Sequence, residues 1–164
     1  MSEILRSLWV GSNLSTLERI CARSWIHHGH RLEIFAYDEI GNVPDGVVLK
    51  DANAIVPEKD VFLWRGSYAI FADLFRWTLL YEHGGYWVDM DMLCLKPFDF
   101  EDDILFGCEN INAASIGVLK LPKNHLIARE MLSLARNPNR IIGNERLKVK
   151  VKKYLRSRLL FGST

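Results

Sequence analysis

Ser67-Tyr68-Ala69-Ile70-Phe71-Ala72-Asp73-Leu74-Phe75-Arg76-Trp77-Thr78-Leu79-Leu80-Tyr81-Glu82-His83-Gly84-Gly85-Tyr86-Trp87-Val88-Asp89-Met90-Asp91-Met92-Leu93 changes its hydrophobic period part-way along. Phe71, Leu74, Phe75 and Leu79 recur at helical spacing, and Ser67 stands where its hydroxyl can cap the first amides. The spacing predicts a helix over about Tyr68 to His83, stopped by Gly84-Gly85. Ile70, Trp77, Leu80 and Tyr81 put apolar groups on its other faces, the pattern of a helix enclosed in a domain. Asp73 and Arg76, three apart, share one face of it, and neither charge is buried without a partner.

After the double glycine, Tyr86 to Leu93 is short, aromatic-rich and alternating, which reads as a strand. In extended backbone Asp89 and Asp91 point the same way, roughly 6–7 Å apart along the chain. Two carboxylates side by side need a cation or donors to compensate them. Carboxylate oxygens suit Mg²⁺ or Mn²⁺, and an ion held by one or two carboxylates shares its other positions with water and substrate phosphates.

The run Phe71-x-Asp73-x-x-Arg76, then Leu79-Leu80-Tyr81, Gly84-Gly85 and Trp87-x-Asp89-x-Asp91 resembles the core motif of the DXD-containing sugar transferases. That family includes fungal Golgi mannosyltransferases, bacterial capsule-type transferases and the glucosylating domains of large bacterial toxins. A bare Asp-x-Asp is a weak signal; helix, double glycine and strand in this order make a strong one. The resemblance extends clearly over about Leu8 to Leu121.

The rest of the chain is consistent with one α/β domain. Its 164 residues suffice for a real core. Lys plus Arg number 21 against 20 for Asp plus Glu, so charge does not call for a nucleic-acid partner. Cys21, Cys94 and Cys108 are odd in number and without metal-site spacing, which favours a reducing, cytoplasmic setting. The five histidines show no ligand spacing either. The start carries no signal-peptide pattern, and nowhere do about 18 uncharged apolar residues run together, so no membrane span is expected.

Ile4–Val10 reads as a first strand in the middle of the sheet, Ser15 as the cap of a helix over about Thr16 to His28, and Leu32–Tyr37 as a second strand. Strand, helix, strand with short turns begins an open sheet whose ligands lie beyond the carboxyl ends of the strands. Val47–Lys50 reads as a brief strand, Asp51–Arg65 as a loop with a short helical turn, and Ile104–Cys108 and Ser115–Leu121 as two further strands. Asn124 is expected to cap a helix over His125–Ala135. The acidic run Asp99 to Asp103 reads as a solvated turn.

The resemblance implies a nucleotide-diphospho-sugar transferase of the GT-A-like, Rossmann-like type, with a mostly parallel sheet flanked by helices. It implies transfer of a hexose from a nucleoside diphosphate sugar to a hydroxyl acceptor such as a polysaccharide or lipid-linked glycan. It further implies retention of configuration and a divalent metal, Mn²⁺ or Mg²⁺. Asp91 becomes the direct metal ligand, and Asp89 a ribose or water-mediated contact. Asp73 and Arg76 match the helix pair that meets ribose and donor groups, and Trp87 belongs to the same nucleotide-sugar set. Trp9, in Trp9-Val10-Gly11-Ser12, matches the aromatic that stacks on the base, with an ordinary core tryptophan as the alternative. An Asn between the two later strands contacts the donor sugar in the family; Asn112 matches best and Asn110 competes. No catalytic base is assigned.

Residues 145 to 160 are basic and amphipathic, which suits either an anionic membrane surface or a solvated helix face. Family members continue past a point equivalent to Thr164 into a closing segment, often starting Gly-Pro, so the domain over residues 1–164 is expected to be truncated. Two other classes compete with the transferase. A phosphatase with an aspartyl nucleophile uses Asp-x-Asp-x-Thr near the chain's start, but here the motif lies mid-chain and lacks the threonine. A non-catalytic nucleotide-sugar binder or inactive fragment would bind the donor without turnover.

Overall fold

The computed structural model describes residues 3–110 and 113–137, and the account below concerns those residues. Six strands form one sheet in the order β3-β2-β1-β4-β6-β5: β1 (Ile4–Leu8), β2 (Arg31–Ala36), β3 (Val48–Asp51), β4 (Gly85–Val88), β5 (Leu105–Asn110) and β6 (Ala113–Leu121). β3, β2, β1 and β4 run parallel, whereas β6 is antiparallel to both β4 and β5. The helices are α1 (Thr16–His27), α2 (Ala69–His83) and α3 (Leu126–Arg136), with single 3-10 turns at Ala52–Ala54 and Glu58–Asp60. This is the expected α/β architecture, with β1 between β2 and β4.

The alternation along the strands sorts the core into two layers. Leu5, Leu32, Ile34, Tyr86 and Val88 meet α1 through Ala22 and Trp25. Leu8, Phe35, Trp87, Leu119 and Leu121 meet α2 through Phe71, Phe75 and Leu79, and α3 through Ala128 and Leu132. Phe75 is fully buried and touches the rings of Phe35 and Trp87, so Phe75→Ala should cost about 3–5 kcal/mol.

The helix starts follow local chemistry. Ser15 and Glu18 form a complete capping box on α1. α2 departs slightly from expectation: Tyr68 is its N-cap, while the Ser67 hydroxyl accepts from the Ala69 amide at 3.1 Å. α3 is capped by His125, not Asn124, because the His125 ring nitrogen accepts from Ile127 N–H at 3.3 Å. Asn124 sits before it in a left-handed conformation, φ 61°, and gives its amide to Tyr81. At the other end of α2, Gly84 has φ 67°, and a β-carbon there would lie 2.4 Å from the Lys123 amide nitrogen. Only glycine lets the helix end this close to the β6–α3 connection.

The connection out of β1 leads through α1 to β2 on one side, while the connection out of β3 returns through α2 to β4 on the other. The carboxyl ends of β1 and β4 therefore flank the point where the winding reverses, the place where open α/β sheets bind ligands.

Candidate active site

β4 is shorter than its sequence pattern suggests. The strand ends at Val88, and Asp89 to Asp91 make a turn closed by the Met92 amide on the Asp89 carbonyl at 3.1 Å. The expected strand to Leu93, with Asp89 and Asp91 side by side on one face, is thus corrected. The turn forms because Asp89 is held from several sides at once. Its amide donates to the Gly117 carbonyl of β6 at 2.7 Å, and its side chain is drawn to α2. The following residues are tied to α1, with Trp25 Nε1 on the Met92 carbonyl at 2.9 Å and the Cys94 amide on Ser24 Oγ at 2.8 Å.

Asp89 Oδ1 takes two donors, Arg76 Nη2 at 2.5 Å and Trp87 Nε1 at 2.7 Å. Arg76 is only 5% exposed, and its other amino group reaches Asp73 Oδ1 at 3.2 Å. Its guanidinium also lies over the Trp87 ring, 5.1 Å from the centroid. One buried cation thus spans two carboxylates that remain partly in solvent, with side-chain exposures of 46% for Asp73 and 30% for Asp89. Burial raises the pKa of Asp73 above its ordinary 3.8; Arg76 counters this and Asp89 adds to it.

Asp91 faces differently. It is exposed, and its charge is close enough to α1 to help raise the Cys21 thiol, whose larger cause is burial. The hydrogen bonds to the Asp89 carboxylate from described residues fall on Oδ1, which leaves Oδ2 toward β6. There Gly117 keeps space open: a β-carbon on it would lie 3.5 Å from Asp89 Oδ2 and 3.1 Å from Met92 Sδ.

Trp9 stands just past β1, half-buried, with Nε1 donating to the Asn13 carbonyl at 3.2 Å. It borders the α1-side core without being enclosed by it, so one part of the ring stays accessible. Trp87, in contrast, is 2% exposed and reaches the site through its N–H on Asp89. Asn112 lies outside the described residues, as does the basic segment from 145 to 160. The geometry therefore joins Asp73, Arg76, Trp87 and Asp89 into one hydrogen-bonded group, with Asp91 beside it and Trp9 on the neighbouring strand. Sequence reading missed the Arg76–Asp89 pair and Gly117; the need of Arg76 for more than one half-exposed partner was the available signal.

The sequence pattern of the glycosyltransferase sugar-binding region containing the DXD motif matches residues 17–113, more than half of the chain. The chain belongs to this glycosyltransferase family. A search of curated protein sequences returns no match. The fold of this glycosyltransferase is similar to the solved PaToxG glycosyltransferase, with a TM-score of 0.61 at 16% identity over 95% of this chain and 69% of that one. Among its described residues no helix is long and apolar enough to cross a membrane, and the three cysteines are free.

A divalent metal fits the donor set in one specific way. No three His, Cys, Asp or Glu side chains among the described residues converge on a point that would hold an ion. What the turn offers is the exposed Asp91 carboxylate and the second oxygen of Asp89, all-oxygen donors too few to make a closed site. Such a site suits a hard cation that is bound together with phosphates.

Proposed function

We propose that this glycosyltransferase transfers a hexose, with retention of configuration, from a nucleoside diphosphate sugar to a hydroxyl of a polysaccharide or lipid-linked glycan, using Mn²⁺ or Mg²⁺. The observation that carries the reading is the double clamp on Asp89 Oδ1 by Arg76 and Trp87, which fixes the motif at the carboxyl end of β4. A carboxylate so held is positioned before the ligand arrives, and little ordering remains to be done on binding.

In this reading Asp91 holds the metal, with Asp89 Oδ2 toward its water shell or the ribose. The metal, when bound, supplies Lewis-acid stabilisation of charge on the departing diphosphate. Asp73, on α2 with its side chain 46% exposed, accepts from a ribose hydroxyl. Arg76 keeps the two carboxylates apart in charge and in space, and the accessible part of Trp9 offers a stacking face to the base, worth on the order of 1–3 kcal/mol in single-stranded nucleic-acid sites. Asn112 is assigned to the donor sugar on sequence grounds alone. A chemical nucleophile is not required of the DXD carboxylates, because they are engaged with metal and nucleotide.

The test is calorimetric titration of the chain with uridine and guanosine diphosphates and their hexose conjugates, with Mn²⁺ and with chelator, followed by donor hydrolysis. Metal-dependent binding of one nucleotide together with slow hydrolysis of its sugar supports the reading. Metal-dependent binding without any turnover would indicate a binder only, and absence of binding to all of them would overturn the assignment.

A further inference from the structure

Between the second 3-10 turn and α2 the chain makes a two-residue hairpin. Trp64 and Ser67 exchange both backbone hydrogen bonds, at 2.9 and 3.1 Å. Arg65 and Gly66 both have positive φ, 53° and 79°, as the tight mirror-image turn requires. Phe62 anchors the base, meeting the buried Phe71 edge-on at 5.7 Å. Yet this tied-down hairpin turns large apolar groups outward. Leu63 is 56% exposed and Trp64 48%, with Phe62, Tyr68 and Ile70 exposed around them. A cluster of this kind on ordered backbone marks a contact surface. Because the hairpin leads straight into α2, the cluster ends one helical turn before Asp73, at the rim of the candidate donor site.

We propose that the hairpin from Phe62 to Ile70 is an interfacial anchor that seats the donor site against a lipid surface. The proposal rests on the transferase reading above insofar as it supplies a lipid-linked acceptor. Phe62, Leu63 and Ile70 have no polar group with which to hold sugar hydroxyls, which disfavours a glycan as the occupant. Trp64 and Tyr68 carry the amphipathic rings that settle at head-group level. The Arg65 guanidinium lies over the Trp64 ring, 6.0 Å from its centroid, so the tip pairs an apolar plate with a cation able to meet lipid phosphates. Glu58 and Asp60 precede the hairpin, so its apolar residues and not its net charge supply the local attraction. Longer-range attraction has a source in the sequence: seven Lys and Arg residues lie between Arg146 and Arg158, a density that anionic lipid attracts.

The experiment is co-sedimentation of the full chain with vesicles of phosphatidylcholine mixed with phosphatidylglycerol, together with tryptophan emission and acrylamide quenching. Trp64 is the most exposed of the described tryptophans, so vesicles should shift emission to the blue and protect it; the change should vanish in Trp64→Phe. Leu63→Asp should lower vesicle partition about tenfold or more, since it replaces inserted apolar area by a charge, while leaving the melting temperature and nucleoside diphosphate affinity in lipid-free buffer unchanged. The proposal is overturned by an absence of vesicle binding, by equal binding of Leu63→Asp, or by a lipid-free dimer that Leu63→Asp dissociates. Protection of Trp64 by a soluble oligosaccharide without lipid would also overturn it, in favour of a glycan platform. If vesicle binding depends on Leu63 but no nucleotide binds, the anchor stands and the transferase reading falls instead.

Discussion

The indole N–H of Trp87 donates to Asp89 Oδ1 at 2.7 Å, and the same ring carries the Arg76 guanidinium that donates to that same oxygen. A buried strand residue thus acts on the site through its neighbour two positions on. Trp87→Phe keeps most of the ring and removes the donor. Since Arg76 remains, nucleotide affinity should fall by roughly fivefold, about 1 kcal/mol. Calorimetry on the variant checks this, and an unchanged affinity would reduce Trp87 to packing.

Asp91→Asn should abolish the Mn²⁺-dependent part of nucleotide binding. Asp91 is exposed and makes no ion pair or side-chain hydrogen bond among the described residues, so the melting temperature should move by less than about 2 °C. Retention of full metal dependence would remove Asp91 from the metal.

Arg76→Ala should act on both stability and binding. By resemblance Arg76 meets donor groups, and its burial between two carboxylates and a tryptophan adds a structural role. Its removal should cost about 2–3 kcal/mol, less than the roughly 3–5 of a fully buried pair because Asp73 and Asp89 keep contact with solvent. Denaturant titration measures this, and a variant as stable as the parent would contradict the geometry.

The pH dependence follows from Asp73. Its pKa is raised in the folded state, chiefly by burial and also by Asp89, so the folded chain binds this proton more readily than the unfolded one. Its contribution to stability is therefore fully present below the unfolded value and is lost as pH rises through the folded value. Ribose binding needs the ionised form, so on acidification the Asp73 share of affinity is lost earlier than for an ordinary aspartate. Asp73→Asn should flatten the acid limb of the binding profile; an identical limb in the variant would assign it to another group.

Gly117→Ala, unlike Arg76→Ala, should act on binding with little effect on folding. The added β-carbon meets the flexible end of Met92 at 3.1 Å, which can move, at a cost under about 1 kcal/mol. At 3.5 Å the same β-carbon rests in ordinary contact with Asp89 Oδ2 and covers that side of the oxygen. Metal-supported affinity should drop several-fold with little change in melting temperature, a contrast read by paired calorimetry and thermal denaturation.

Much of this was legible in the sequence because its signals are local. The period of Phe71, Phe75 and Leu79, the Ser15 cap and Gly84-Gly85 each determine structure within a few residues of themselves. The end of β4 was not legible, because Val88-Asp89-Met90-Asp91-Met92 keeps a two-residue alternation through a turn that is imposed from α1, α2 and β6. The Arg76–Asp89 pair spans thirteen positions and two elements, so spacing on one helix could offer Arg76 no partner but Asp73. Trp87 was placed in the nucleotide-sugar set by resemblance alone, since no local pattern shows the direction of its N–H.

β4 lies between β1, made of residues near the start of the chain, and β6, whose Gly117 carbonyl receives the Asp89 amide. As the polypeptide is synthesised, α2 and β4 emerge before the strand that completes the clamp on the DXD turn. Loop-closing contacts of this range form late, after local helices. A nascent chain that has reached only Leu93 already holds Arg76, Trp87 and Asp89 but lacks the Gly117 carbonyl that receives the Asp89 amide, so full nucleotide affinity should appear only once β6 has docked. In this protein the ability to grip a sugar donor would serve as a readout of completed folding.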